Sequence, residues 1–195
     1  MAQKYRRPSR EEIKELYKKH DYKFFEGEMS VNVFGIRRKV STDLFDDFIG
    51  VIWKEDGKET YLISKATTDP GAYWMRHPIN KNGTAILKPG QYLGAYKLGK
   101  HRGKYEALVQ RKEVSVFRDK NRDTLHDFEG TEQTGVFGIN IHRSNPYRAS
   151  YYVDKWSAGC QVFASPFEYD AFMNVVKRSI EKYSNSITYT LFSQV

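Results

Sequence analysis

The stretch "FGINIHRSNPYRASYYVDKWSAGCQVF", residues 137–163, contains two short apolar runs separated by a polar segment. The first run alternates, which places Asn140 and His142 on the polar face of a predicted strand. The second run, "QVF", is predicted as another strand and follows Cys160, the only cysteine of the chain. This order indicates a sheet-rich fold that brings an imidazole and a thiol within reach of each other.

The rest of the chain carries the same strand signals. A hairpin is predicted around Asp56-Gly57, because this dipeptide favours a tight turn between two apolar runs. Residues 67–100 are rich in Gly, Pro and Asn, which indicates loops with short strands near "TAIL" and "YLGAYKL". Further strands are predicted at "MSVNVFGIR", "YEALVQ", "EVSVFRD", "GVFGINIHR" and "SITYTLF".

Two helices are predicted from their N-terminal caps. Ser9 and Glu12 form a capping-box pattern before a short helix at 10–20. A Ser-Pro-x-Glu pattern beginning at Ser165 starts a longer helix with one apolar stripe. The fold class is therefore mainly β with α (α+β), with a basic segment and short helix at 1–28 and one domain at 29–195.

Composition and charge restrict the partners. The 195 residues include 39% hydrophobic side chains, and the formal net charge is +8. Such a charge favours nucleic acid, an anionic surface or a carboxylate-rich wall polymer, and solubility alone explains it equally well. Nucleic acid is the weakest of these candidates, because the basic residues are scattered and form no nucleic-acid motif.

Several classes of protein are disfavoured by what the sequence lacks. A single cysteine excludes an internal disulfide and a multi-cysteine zinc site. No run approaches the roughly 18 apolar residues of a membrane span, and residues 1–20 contain no signal-peptide core. Residues 118–127 resemble a calcium loop but lack its glycine and its bidentate glutamate, so they are predicted as a polar turn. We expect no metal, no cofactor and synthesis without a signal peptide.

Three local features favour a reaction centre at Cys160 over a buried structural thiol. The preceding Ser157-Ala158-Gly159 permits a tight turn whose backbone N–H groups can hold an oxyanion. His142 lies on a polar strand face, where an imidazolium would stabilise a thiolate. The segment between them is too polar to be core. From the residues alone, a catalytic pair and a structural cysteine remain equally open.

The same residues resemble the catalytic domain of the L,D-transpeptidases, in which a histidine precedes fourteen to seventeen residues and then Ser/Thr-His-Gly-Cys. Here fourteen residues separate His142 from Ser157, which begins Ser-Ala-Gly-Cys. The chain is further similar to a phage- and Bacteroidetes-associated subgroup over about residues 30–192. The shared segments are "ATTDPG", "GTAILKPGQY", "HRGKYEALVQ", "FGINIHR" and "KWSAGCQVF".

The resemblance implies a mixed β-sheet or barrel and a peptidoglycan-modifying enzyme that acts on L,D-peptide bonds of stem peptides. Cys160 would attack as a thiolate and form a thioester, His142 would protonate the departing amine, and the N–H groups of Gly159 and Cys160 would hold the oxyanion. Transpeptidase, carboxypeptidase and endopeptidase outcomes stay open. The expected place of action is the cell wall or periplasm after release, or a virion, with virion or phage lysis components as further partners.

Two positions depart from the family's pattern. Ala158 replaces a histidine, and Val162 replaces the Arg or Asn expected two residues after the cysteine. These departures favour the alternative, a catalytically degenerate wall-binding or virion structural domain. His101 and Arg143 are candidate replacements for holding a substrate carboxylate, and Asn140 is a candidate for orienting the catalytic histidine. The predicted substrate-binding residues are Ser157, Asn140, Arg143 and His101.

Overall fold

The computed structural model describes residues 6–38 and 43–193 and confirms the predicted α+β class. A closed barrel of eight strands carries a second, three-stranded sheet, in the order β4 (Thr84–Leu87), β7 (Val114–Asp119), β8 (Glu132–Gly135). Around the barrel the strands follow the order β1 (Asn32–Arg37), β11 (Ile187–Ser193), β5 (Gly90–His101), β6 (Tyr105–Gln110), β9 (Ile141–Arg143), β10 (Gln161–Phe163), β3 (Lys58–Thr67), β2 (Asp47–Glu55).

Three helices occur in the described ranges: α1 (Arg10–Lys19), α2 (Ala72–Arg76) and α3 (Pro166–Lys182). Both predicted caps are present, since the Ser9 and Ser165 hydroxyls accept the backbone N–H groups of Glu12 and Glu168. The α1 residues Ile13 and Tyr17 pack on an aromatic cluster against the barrel. None of these helices combines the length and the apolar character needed to cross a bilayer.

The strand predictions are confirmed where they depend on a turn or an alternation of a few neighbouring residues. Strands β2 and β3 form the predicted hairpin, and Asp56 and Gly57 both adopt the positive φ that its turn requires. The single strand predicted at "GVFGINIHR" is wrong, because Gly138 has a φ of 75° and separates β8 from β9. Residues 90–101, predicted as loops with a short strand, form the long strand β5, whose pairing with β11 shifts register between Ile187 and Tyr189.

The parallel pair β9–β10 places the two apolar runs of residues 137–163 side by side. Ile141 is paired with Gln161, and His142 with Val162. The backbone N–H of Gln161 donates to the Asn140 carbonyl at 2.9 Å, which extends the contact towards Cys160. The polar segment 144–160 is the crossover that a parallel pair needs.

A buried ion-pair network ties the barrel to the second sheet. The fully buried Arg37 lies with its Nε 2.7 Å from Asp69 Oδ1, and it donates to the carbonyls of Thr68 at 2.6 Å and Leu87 at 2.5 Å. Asp47 accepts the backbone N–H of Thr68 at 2.8 Å. Burial raises the pKa of both carboxyls, and the Arg37 charge opposes that rise.

We predict that Arg37→Met destabilises the protein by about 3–5 kcal/mol, because it leaves buried carboxyl groups without their cation. The measurement is the free energy of unfolding in urea. Lys177→Met is the matched control, since it removes an ion pair with Glu106 that spans 3.1 Å on the surface and should cost under about 1 kcal/mol. Equal losses in the two variants would contradict the structural role given to Arg37.

Candidate active site

Cys160 opens on a cleft of about 420 Å³ between the barrel and the second sheet. Strand β4 and the C-terminal end of β7 form one wall, and the segment 136–140 forms the other. The chemically relevant side chains on its walls are Cys160, Ala158, Asn140, His101, Arg102 and Arg118. His142 does not line the cleft; it is 3% exposed and lies in the layer behind.

The turn before Cys160 is built around Ser157 and Gly159. The Ser157 hydroxyl donates to the Cys160 carbonyl at 2.7 Å and accepts the Gly159 N–H at 3.2 Å. Gly159 has a φ of 120°, and a Cβ there would lie 2.4 Å from the Ala85 carbonyl oxygen. Only glycine fits such a position without strain. The turn therefore fixes where the sulfur emerges.

This turn corrects two expectations. Ser157 is fully buried, so it holds the turn and does not contact a ligand in the cleft. The Gly159 N–H is already bonded to Ser157 and does not serve an oxyanion. The Cys160 N–H has no acceptor among the residues that the structure describes. That N–H is the backbone donor left for a developing negative charge.

The sulfur rests as a neutral thiol. Its S–H donates to the Gly138 carbonyl at 3.5 Å, and its Sγ accepts the Asn140 N–H at 3.4 Å. Burial raises the pKa of Cys160, and the Asn140 N–H opposes that rise. A carbonyl oxygen beside the sulfur also disfavours a negative charge there.

The tautomer of His142 follows from its partners. Its Nδ1 lies 2.8 Å from the Arg143 carbonyl oxygen, which can only accept, so Nδ1 carries the proton. The Tyr105 hydroxyl is also within 3.1 Å of this nitrogen. Nε2 is consequently an unprotonated base, and it has no hydrogen-bond partner in the described part of the chain. Burial is the main cause that lowers the pKa of His142 to about 3. A positive charge on the neighbouring His101 is the second cause.

His101 covers His142 on the cleft side. The two rings stack with centroids 3.9 Å apart and planes at 24°. Asn140 Oδ1 accepts the Gln110 N–H at 3.0 Å, so its Nδ2 must donate to His101 Nδ1, 3.2 Å away. Neutral His101 therefore carries its proton on Nε2. Burial, with help from Arg102, lowers the pKa of His101 to about 4.

Burial thus favours a neutral thiol and two neutral imidazoles over the expected thiolate–imidazolium pair. Burial keeps these groups neutral, because a thiolate–imidazolium pair would have to form away from water. Asn140 orients His101 through its side chain instead of orienting His142. The thiol donates to the Gly138 carbonyl and His142 Nε2 has no partner among the described residues, so these two groups are not hydrogen-bonded to each other in this structure.

Arg143 lies outside the cleft, and two other arginines line it. The Arg143 guanidinium packs 4.2 Å from the ring centroid of Tyr105. Sequence reasoning missed Arg102 and Arg118 as cleft residues. A signal for Arg118 was present, because its position in "EVSVFRD" shares the strand face of the core residues Val114 and Val116.

No protein-family model, curated protein or solved structure matches the chain. The resemblance to the L,D-transpeptidases therefore stays a prediction. Within residues 6–38 and 43–193, no three His, Cys, Asp or Glu side chains gather in a way that could hold a metal ion.

Gly159→Ala should destabilise the protein and displace Cys160. The added Cβ meets the Ala85 carbonyl, and a φ of 120° is strained for any other residue. We expect a loss of about 2 kcal/mol or more in urea unfolding. Gly103→Ala is the control, because Gly103 also has positive φ but open space around its Cβ position. The prediction fails if the control loses as much stability.

The thiol should alkylate slowly at neutral pH and faster as the pH rises, with a midpoint above the ordinary thiol value of about 8.5. The reason is that burial raises the pKa of Cys160, so the reactive thiolate forms only at high pH. Iodoacetamide labelling followed by intact mass reports only this residue, the sole cysteine. The urea-unfolded chain is the control and should show the ordinary midpoint. A native rate that is already maximal below pH 7 would show a resting thiolate instead.

Proposed function

We propose that this protein is a cysteine enzyme that acts on L,D-peptide bonds of peptidoglycan stem peptides through a thioester. One observation carries the proposal: the sulfur of Cys160 opens on a cleft, and His142, on the strand that pairs in parallel with the residues directly after Cys160, holds an unpartnered basic nitrogen. A buried polar atom without a partner is costly, and such costs are typical of functional sites.

The strand register supports a reaction between these two groups. His142 is paired with Val162, and Cys160 precedes Val162 by two residues and packs in the same cluster. Side chains two residues apart on an extended strand share a face. The thiol and the imidazole therefore project from the same side of the barrel.

The proposed first step balances without any added group. The sulfur forms a bond to the peptide carbonyl carbon, the thiol proton moves to His142 Nε2, and the carbonyl oxygen becomes an oxyanion beside the Cys160 N–H. The resulting imidazolium then gives its proton to the departing amine as the C–N bond breaks. An acyl thioester on Cys160 remains, and attack by water or by an amine releases the sulfur.

His101 takes part in the same cycle by covering His142. Its Nε2–H is a donor on the ring that covers His142. Protonating His142 is unfavourable, chiefly because its ring is buried and an imidazolium there would lose its water. The imidazolium is therefore a strong acid, which suits proton delivery to a poor leaving group such as an amine.

A wall-binding or virion structural domain remains the second candidate, and one observation favours it. The thiol donates to the Gly138 carbonyl at rest, so it is hydrogen-bonded as a structural cysteine would be. In that case the cleft would bind stem peptides without changing them.

Incubation with purified muropeptides should give shortened, cleaved or cross-linked products that mass spectrometry identifies. We expect Cys160→Ala to abolish product formation with little loss of stability, because the side chain is small and partly exposed. We expect His142→Ala to slow turnover by about 100-fold or more. His20→Ala is the matched control, since this exposed histidine stacks on Tyr22 and does not line the cleft.

Unchanged products in Cys160→Ala would exclude the nucleophile. Binding of muropeptides without turnover by the wild-type protein would favour the structural candidate.

A further inference from the structure

Arg118 is a buried arginine on the wall of the cleft that contains Cys160. It is 7% exposed and belongs to β7. Its Nε donates to Gln133 Oε1 at 2.8 Å, and its Nη1 donates to the Gly83 carbonyl at 3.2 Å. Its guanidinium carbon lies 4.7 Å from the ring centroid of Phe137. These contacts hold the guanidinium in one orientation.

No carboxylate of residues 6–38 or 43–193 neutralises the charge of Arg118. Among the residues that the structure describes, Arg118 makes no ion pair, whereas Arg37, which is also buried, has the Asp69 carboxylate at 2.7 Å. The protein partners of Arg118 are a neutral amide, a neutral carbonyl and an aromatic ring. A buried cation without a counter-charge is costly, so such a residue needs a functional reason.

The guanidinium also keeps a free donor. Its Nη2 makes no hydrogen bond within the described ranges and is not among the fully buried unpartnered atoms. Burial lowers the pKa of Arg118, but an arginine stays protonated at neutral pH. The cleft therefore presents a fixed positive charge and an unused N–H group to its contents.

We propose that Arg118 binds a substrate carboxylate and positions the peptide for attack by Cys160. The peptide's identity as a stem peptide rests on the proposed function; the carboxylate site rests on Arg118 alone. Val162 cannot hold a carboxylate, because it is apolar and fully buried. Arg143 lies outside the cleft, and His101 is neutral. Arg118 thus takes the role for which the sequence had offered His101 and Arg143.

Arg102 is the natural comparison. It also lines the cleft, but it is exposed and lies on a hairpin turn with a φ of 50°. Water and salt screen an exposed charge far more than a buried one. A ligand carboxylate should therefore depend on Arg118 more than on Arg102.

The test compares two alkylating reagents on the full-length protein. Iodoacetate carries a carboxylate, iodoacetamide is its neutral counterpart, and Cys160 is the only thiol. We measure the ratio of their rates at one pH above 8 by intact mass. The ratio divides out the thiolate fraction, and comparing the ratio between variants divides out the intrinsic reactivities of the two reagents, so its change reports attraction of the carboxylate. Arg118→Gln should lower the iodoacetate-to-iodoacetamide ratio by about three- to tenfold.

Two further variants keep the result interpretable. Arg118→Lys retains the charge and should keep the ratio above that of Arg118→Gln, which separates charge from loss of packing. Arg102→Gln should lower the ratio by less than Arg118→Gln. Equal ratios in wild type and Arg118→Gln, or a larger effect of Arg102→Gln, would overturn the proposal.

A second arm distinguishes this proposal from the proposed function. A stem tetrapeptide and its C-terminal and side-chain amides are compared as substrates of the wild type and of Arg118→Gln. Loss of discrimination against at least one amide in the variant supports both proposals. An Arg118-dependent alkylation ratio with no turnover of any peptide would retain the carboxylate site and reject the enzymatic function. Turnover that is indifferent to both amides would reject the carboxylate site and retain the function.

Discussion

The parallel register between β9 and β10 is the constraint on which the site depends. These strands have only three residues each, yet their pairing sets Cys160 beside Asn140, whose backbone N–H donates to the sulfur. Polar contacts behind the pair hold it in place. The buried Gln161 side chain accepts the Tyr189 hydroxyl at 2.8 Å and donates to the Thr68 carbonyl at 3.2 Å. A slip of one residue would turn Gln161 outwards and lose both contacts.

Burial decides the charge state of each group in and around the cleft. The thiol and the two stacked imidazoles are neutral, because each would have to ionise in a poorly solvated site. The two buried arginines Arg37 and Arg118 differ in their partners. Arg37 lies against the Asp69 carboxylate, and Arg118 has only neutral partners. The first cation ties the barrel to the second sheet, and the second is available to a ligand.

The two departures from the L,D-transpeptidase pattern acquire a physical meaning in the fold. Ala158 lines the cleft and leaves room beside Cys160, and His101 lines the same cleft from the end of β5. Val162 packs with Phe45 and Val153 in a small apolar cluster, so a charged residue there would be buried.

Short-range signals in the sequence were sufficient for the fold class, the helix caps and the hairpin at Asp56-Gly57. Each of these depends on residues within a few positions of one another, through capping, alternation or turn geometry. The charge states, the role of Ser157 as a turn residue and the presence of Arg118 in the cleft were decided only by the tertiary structure. They depend on which strands become neighbours and on how much water each group loses, and pairing between residues distant along the chain sets both.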